Sequence, residues 1–187
     1  MNVQEARMSL FRLCTIVLAT SLLSACQTSS VISPGEELVD GTASSPQEPK
    51  YEEFIAAGQV LPIESVVDVN GEIVDLTAKD ERKLVILFAT WCPDSNRALK
   101  TLNKSSLLND DSVQIIAIAR EETTETVIAW RDEHGIRVPL AADPDRSIYK
   151  LFAVAGVPRF ITVSTDNKVI KMNLAEEENQ LDLIEWQ

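Results

Sequence analysis

Cysteine is scarce, and its placement is what matters. The 187-residue chain has three cysteines, Cys14, Cys26 and Cys92. The first two fall in an N-terminal leader, so the region beyond it holds one thiol and has no internal partner for a disulfide. There is a single histidine, His134, and no Cys/His spacing suited to a metal site. No metal or cofactor is therefore called for. Basic residues are also few: 17 Lys and Arg stand against 29 Asp and Glu, for a net charge of −12. Phosphate binding needs clustered cations, so nucleic acid is excluded as a partner class. An acidic balance of this size serves solubility.

The longest apolar segment near the start is also too short to span a membrane comfortably. Arg7 and Arg12 precede Leu13 to Leu23, which exits through small residues. This is the layout of a secretory signal peptide. Glu5 is unusual in such a leader, and a start at Met8 would remove it. The exit Leu23-Ser24-Ala25-Cys26 resembles a bacterial lipobox, whose cysteine becomes a lipidated N-terminus. An ordinary signal peptide is the alternative. The expected division is a signal peptide over 1–25, a lipid-anchored linker over 26–50 and a folded domain over 51–187. Acyl chains on Cys26 would hold the protein to the membrane. Gln27 in place of Asp favours the outer membrane, facing the periplasm, over the inner. Residues 27–50 are rich in Ser, Thr, Pro, Gly and acidic residues and read as a flexible tether.

From Tyr51 the chain reads as alternating elements. Tyr51, Phe54 and Ile55 have helical spacing, with Gly58 as a stop. Asn70-Gly71 lies between two short apolar stretches and predicts a hairpin with a two-residue turn. Lys83 to Ala89 is a continuous apolar run once past its lysine, the mark of a strand buried on both faces. Helices are predicted from Pro93 to about Asn103, from Thr124 to His134, from Asp143-Pro144 through Phe152, and from Glu176 to Trp186. Further strands are predicted at Val113–Ala119, Arg159–Val163 and Val169–Met172, the last two joined by a turn over 165–168. The sum is an α/β fold: a mixed central sheet with an N-terminal β-hairpin and helices on both faces.

The run Phe88-Ala89-Thr90-Trp91-Cys92-Pro93 places a cysteine where a buried strand meets a helix start. The helix dipole there favours a thiolate over a thiol. With the hairpin, the insert around Asp143-Pro144-Asp145 and the Gly156-Val157-Pro158 loop, the chain resembles the thioredoxin-like superfamily. Within it, the resemblance is to the TlpA-like extracytoplasmic thiol-disulfide oxidoreductases. It runs from about Leu61 to the C-terminus. It implies a nucleophilic Cys92, a cis-proline at Pro158 beside it, and substrate docking over Trp91, Pro93, Val157 and Pro158. Three positions depart from the family pattern. Ser95 replaces the second cysteine of C-x-x-C, Ala98 replaces a glutamate, and Lys100 replaces a helix-kinking proline.

A dithiol motif needs its second thiol to resolve the mixed disulfide made by the first. Ser95 cannot displace sulfur, although its hydroxyl could hydrogen-bond a Cys92 thiolate. Attack, mixed-disulfide formation and release by an outside thiol survive, with protein or small thiols and disulfides of the envelope as partners. Arg120 and Arg159 are candidate cations for tuning the thiolate, against a reading as surface residues. Asp94 would oppose the thiolate if close, and His134 reads as surface. Two other readings stand beside this one. One is a degenerate, non-catalytic binding module. The other is a peroxiredoxin-like thiol peroxidase, although Thr90 is two residues before Cys92 where that class has Thr three before.

Overall fold

The computed structural model describes residues 51–187. The signal peptide, the linker and Cys26 lie outside the described residues. Two short antiparallel strands come first, β1 (Ser65–Val67) and β2 (Ile73–Asp75). Then follow β3 (Arg82–Phe88), α1 (Pro93–Leu102), β4 (Val113–Arg120), α2 (Thr124–His134) and β5 (Leu140–Asp143). The chain closes with β6 (Arg159–Val163) and β7 (Val169–Leu174). The main sheet has the order β5-β4-β3-β6-β7. β3, β4 and β5 run parallel, while β6 and β7 are antiparallel to their neighbours. The expected mixed α/β sheet with its preceding hairpin is present.

The central strand owes its place to its composition. Leu84 through Phe88 have no exposed surface, and successive side chains feed opposite cores. Leu84, Ile86 and Phe88 pack with Ala98, Leu99 and Leu102 of α1 and with Val127 and Trp130 of α2. Val85 and Leu87 pack on the other face with Leu61, Ile63, Leu76, Tyr149 and Phe152. Both α-helices cover one face. The other is covered by extended segments and a 3₁₀ turn at Tyr149–Leu151.

The sheet edges are not left bare. Asp68 and Val69 bond to the outer side of β5, and Gly58 to Leu61 to the start of β7. Both contacts occupy backbone groups that would otherwise invite another strand.

Four expected elements differ. The segment at Tyr51–Ile55 is extended rather than helical, because its backbone pairs with 152–154: Phe54 N–H donates to Phe152 O, and Val154 N–H to Glu52 O. The Asn70-Gly71 turn is a longer loop. The Asp68 carboxylate accepts from the backbone N–H groups of Asn70 and Glu72, and of the pair only Gly71 has positive φ, at 87°. Asp143 does not open a helix but ends a strand, β5, that the sequence reading lacked. Arg146 adopts φ 63°, and the Asp143 carboxylate accepts from Ile148 and Tyr149 N–H, closing a loop. The C-terminal helix shrinks to one 3₁₀ turn, Gln180–Leu183. Asn179 at φ 58° interrupts it, and Asn173 binds the Leu183 carbonyl from β7. Leu181, Ile184 and Trp186 still pack against the core as expected.

We predict that Ile86→Ala, at a position with 0% exposure, lowers unfolding free energy by about 2–5 kcal/mol. Ile73→Ala, at a position 75% exposed, should change it by less than about 0.5 kcal/mol. Urea titration of the two variants checks the contrast, and equal midpoint shifts would refute this placement of the core.

Candidate active site

Sheet register builds the site. Leu87 at the end of β3 pairs with Arg159 at the start of β6. The residues just beyond these two, Cys92 and Val157, are thereby brought together across 65 positions of sequence. The Val157–Pro158 bond is cis, and the Cys92 thiol donates to the Val157 carbonyl at 3.4 Å. On the other side of β3, Phe88 pairs with Ala119 of β4. This sets the loop after β4 against the turn that carries Thr90.

Cys92 is the N-cap residue of α1, with φ −84° and ψ 121° and no side-chain cap. Pro93 follows at the first helical position, where its missing N–H costs nothing. Cys92 is 8% exposed, whereas the neighbouring Trp91 is 64% exposed. Cys92 lines a cleft of about 320 Å³ together with Trp91, Val157, Gly156, Tyr51, Asp94, Arg120 and Glu176. Gly156 is required here. It has φ 92°, and a Cβ would come within 2.8 Å of the Tyr51 ring.

Three side chains hold the turn between β3 and α1. The Ser95 hydroxyl oxygen accepts from Ala89 N–H at 3.3 Å. The Glu122 carboxylate accepts from Thr90 N–H at 3.0 Å and from the Thr90 hydroxyl at 2.5 Å. The Asn96 amide donates to the carbonyls of Thr90, at 2.6 Å, and Cys92, at 2.9 Å. Asn96 is itself oriented by the Trp130 indole, which donates to its Oδ1 at 2.8 Å.

The sequence-derived residues separate into groups. Cys92, Trp91, Val157 and Arg120 meet at the cleft, with Pro158 immediately after Val157 and Pro93 immediately after Cys92. Ser95 is fully buried under the turn, and its recorded partner is Ala89, not the Cys92 sulfur. Arg120 stacks over the Tyr149 ring at 4.8 Å and pairs with Glu121 at 2.7 Å. That hydrogen bond holds the Glu121 carboxyl below its ordinary range. Arg159 is not a surface residue: it is fully buried, and its guanidinium donates to Glu53 at 2.5 Å and to the Ala155 carbonyl at 2.7 Å. The Tyr149 hydroxyl, at 3.4 Å from its Nε, is a further acceptor. Asp94 at the cleft is paired with Arg97. His134 stacks on Trp130, its side chain 18% exposed.

Sequence reasoning missed Glu122, Asn96, Trp130 as a donor, and Tyr51 as a wall. One signal was available for Glu122: it lies two residues past the strand end that pointed to Arg120. Asn96 is one helical turn after Cys92, the spacing at which its side chain reaches back to the helix start.

The Redoxin family model matches residues 56–184. The chain belongs to the Redoxin family. It is similar to the thiol-disulfide oxidoreductase ResA of Bacillus anthracis, 24% identical over 127 residues that span 67% of this chain and 73% of that protein. The fold is thioredoxin-like. It matches the thioredoxin domain of a thiol-disulfide oxidoreductase from Bacteroides vulgatus, with TM-score 0.56, 20% identity, and coverage of 64% of this chain and 89% of that one. It also matches a secreted disulfide oxidoreductase of Mycobacterium tuberculosis, with TM-score 0.55, 16% identity, and coverage of 64% and 90%.

We predict that Glu122→Ala loosens the redoxin turn, since it leaves the Thr90 N–H and hydroxyl without their acceptor. The expected loss is about 1–3 kcal/mol. Amide exchange at Thr90 should accelerate more than exchange at Ile118 in the adjacent strand. Equal acceleration at both would show that the carboxylate does not brace the turn specifically.

Proposed function

We propose that this protein carries out thiol-disulfide exchange in the cell envelope through Cys92 alone. One observation carries the reading: Cys92 lines an open cleft with its thiol set against the Val157 carbonyl, while position 95 offers only a buried hydroxyl. The names of the relatives, thiol-disulfide oxidoreductases and a secreted disulfide oxidoreductase, support the reaction class and an extracytoplasmic setting.

The chemistry follows from the groups present. The Cys92 thiolate attacks one sulfur of a disulfide. A Cys92–S–S–R bond forms as the substrate's S–S bond breaks, and the departing thiolate takes up the proton that Cys92 gave away. Trp91, Pro93, Val157 and Pro158 form the docking surface. Ser95 cannot attack the mixed disulfide, so an external thiol must release Cys92. Among the described residues, Arg120 is the one cation lining the cleft, and it is paired with Glu121. Lipidation of Cys26 would tether the domain to the membrane, in the outer membrane facing the periplasm on the reading of Gln27.

We predict that cells making the wild type accumulate Cys92-linked adducts on non-reducing gels, and that Cys92→Ala abolishes them. Ser95→Cys should remove most of them by supplying the resolving thiol. Identical band patterns for wild type and Cys92→Ala would overturn thiol exchange and favour a binding module without redox chemistry.

A further inference from the structure

The loop that enters β6 is held by side chains rather than by a backbone ladder. Four consecutive carbonyls, Val154 to Val157, accept in turn from Arg146, Arg159, Tyr149 and Cys92. Among the described residues, none of the four takes a backbone N–H. The wholly buried Arg159 guanidinium donates to the Ala155 carbonyl from Nη2 at 2.7 Å and from Nε at 3.2 Å. The Tyr149 hydroxyl donates to the Gly156 carbonyl at 2.7 Å, from a side chain that is itself fully buried. Among the described residues, Glu53 is the one carboxylate paired with Arg159, at 2.5 Å. A β-bridge between Glu53 and Ala153 fixes the backbone that presents it. A buried guanidinium deprived of its anion is strongly unfavourable, so this pair sets where Arg159 rests.

We infer that Glu53, Arg159 and Tyr149 are positioning residues for exchange at Cys92: they clamp the Ala155 and Gly156 carbonyls and so fix how Val157 faces the sulfur and a docked disulfide. This rests on the reading of Cys92 as the nucleophile and adds what orients its docking surface. Ala155 and Gly156 are the two residues before Val157, so a rotation of either peptide group would swing the Val157 carbonyl. Gly156, at φ 92°, has a glycine's conformational freedom, and its peptide group needs an outside hold. Tyr149 gives that hold, and Arg159 in turn donates to the Tyr149 hydroxyl at 3.4 Å. A peptide disulfide docked on Val157 feels any such rotation, whereas a small reagent that meets only the sulfur is nearly indifferent to it. The exchange step is unchanged: one S–S bond forms at Cys92, one breaks, and the leaving thiolate takes up the proton that Cys92 gave away.

Two uncharged reagents test this. The disulfide of N-acetylcysteine methylamide carries peptide groups beside its sulfurs, and methyl methanethiosulfonate carries none. Each is reacted with the full chain, and the adduct at Cys92 is followed by peptide mass spectrometry, which separates it from Cys14 and Cys26. Tyr149→Phe removes only the hydroxyl and keeps the ring on which Arg120 and Arg146 stack. Glu53→Gln keeps the shape and removes the charge. Each variant should slow the peptide disulfide about tenfold and the thiosulfonate by less than about threefold. Glu53→Asp, which keeps the anion, should recover part of the lost rate. If the variants leave the peptide disulfide rate unchanged, or slow both reagents equally, the positioning role is wrong, while Cys92 stands as a nucleophile. If neither reagent modifies Cys92 in the folded wild type while both modify the urea-denatured chain, the exchange reading and the positioning role fall together.

Discussion

The structure depends on how the turn between β3 and α1 is held. A strand buried on both faces ends at Phe88, and after four intervening residues a helix begins at Pro93. Peptide groups between them leave the sheet ladder before the helix can take them, and buried peptide groups need partners. Ser95, Glu122 and Asn96 supply these from three directions. Cys92 therefore rests on a backbone fixed by hydrogen bonds rather than on a free loop. A cysteine can act as an oriented nucleophile only when its main chain is held in this way. The Trp130–Asn96 hydrogen bond extends the bracing to α2, so both helices on that face contribute to one turn.

Sheet order explains why the partners of this turn come from distant parts of the chain. β4 lies parallel to β3, so its C-terminal end delivers Glu122 beside Thr90. β6 lies antiparallel, so its N-terminal end delivers Val157 beside Cys92. The Glu53–Arg159 pair then ties the N-terminal segment to the start of β6, and Tyr51 lies over Gly156 as one wall of the cleft. The entry to the domain is thus part of the cleft itself. A fully buried guanidinium is costly unless its donors are satisfied, and Arg159 meets the Glu53 carboxylate, the Ala155 carbonyl and the Tyr149 hydroxyl.

The features legible in the sequence were those with a strong local signal. The run Leu84–Phe88 has no polar interruption, and α2 runs from Thr124 to His134 as expected: the Thr123 side chain accepts from Thr126 N–H, and Gly135 stops the helix in the left-handed conformation. Cys92 came from its place between a buried strand and a helix start, and the Val157–Pro158 pair from the resemblance to the thioredoxin-like superfamily. What was illegible was set by tertiary contact. The helical spacing of Tyr51, Phe54 and Ile55 yields to backbone pairing with 152–154. The capping potential of Asp143 is real, but its carboxylate closes a loop at Tyr149 instead of starting a helix. Arg159 read as a thiolate-tuning cation or a surface one because nothing local announces a glutamate 106 residues away. Glu122 and Asn96 carry no motif, and their importance appears only when β4 and α1 are placed beside the turn.

The substitution at position 95 has a physical logic that bears on what this domain retains. Ser95 is wholly buried, and Ala89 N–H points at its oxygen. An apolar residue there would leave a buried donor unsatisfied, at a cost of about 1–3 kcal/mol. A hydroxyl accepts that hydrogen bond better than a thiol, whose sulfur is a weak acceptor. Serine therefore preserves, and even strengthens, the hold on the turn while removing the atom that could resolve a disulfide. The groups that position Cys92 and the groups that complete a redox cycle are thus separable in this fold, and this chain keeps the first set. The hydrogen bonds that brace the turn thus hold Cys92 against the Val157 carbonyl, beside an open cleft, with no contribution required from a second thiol.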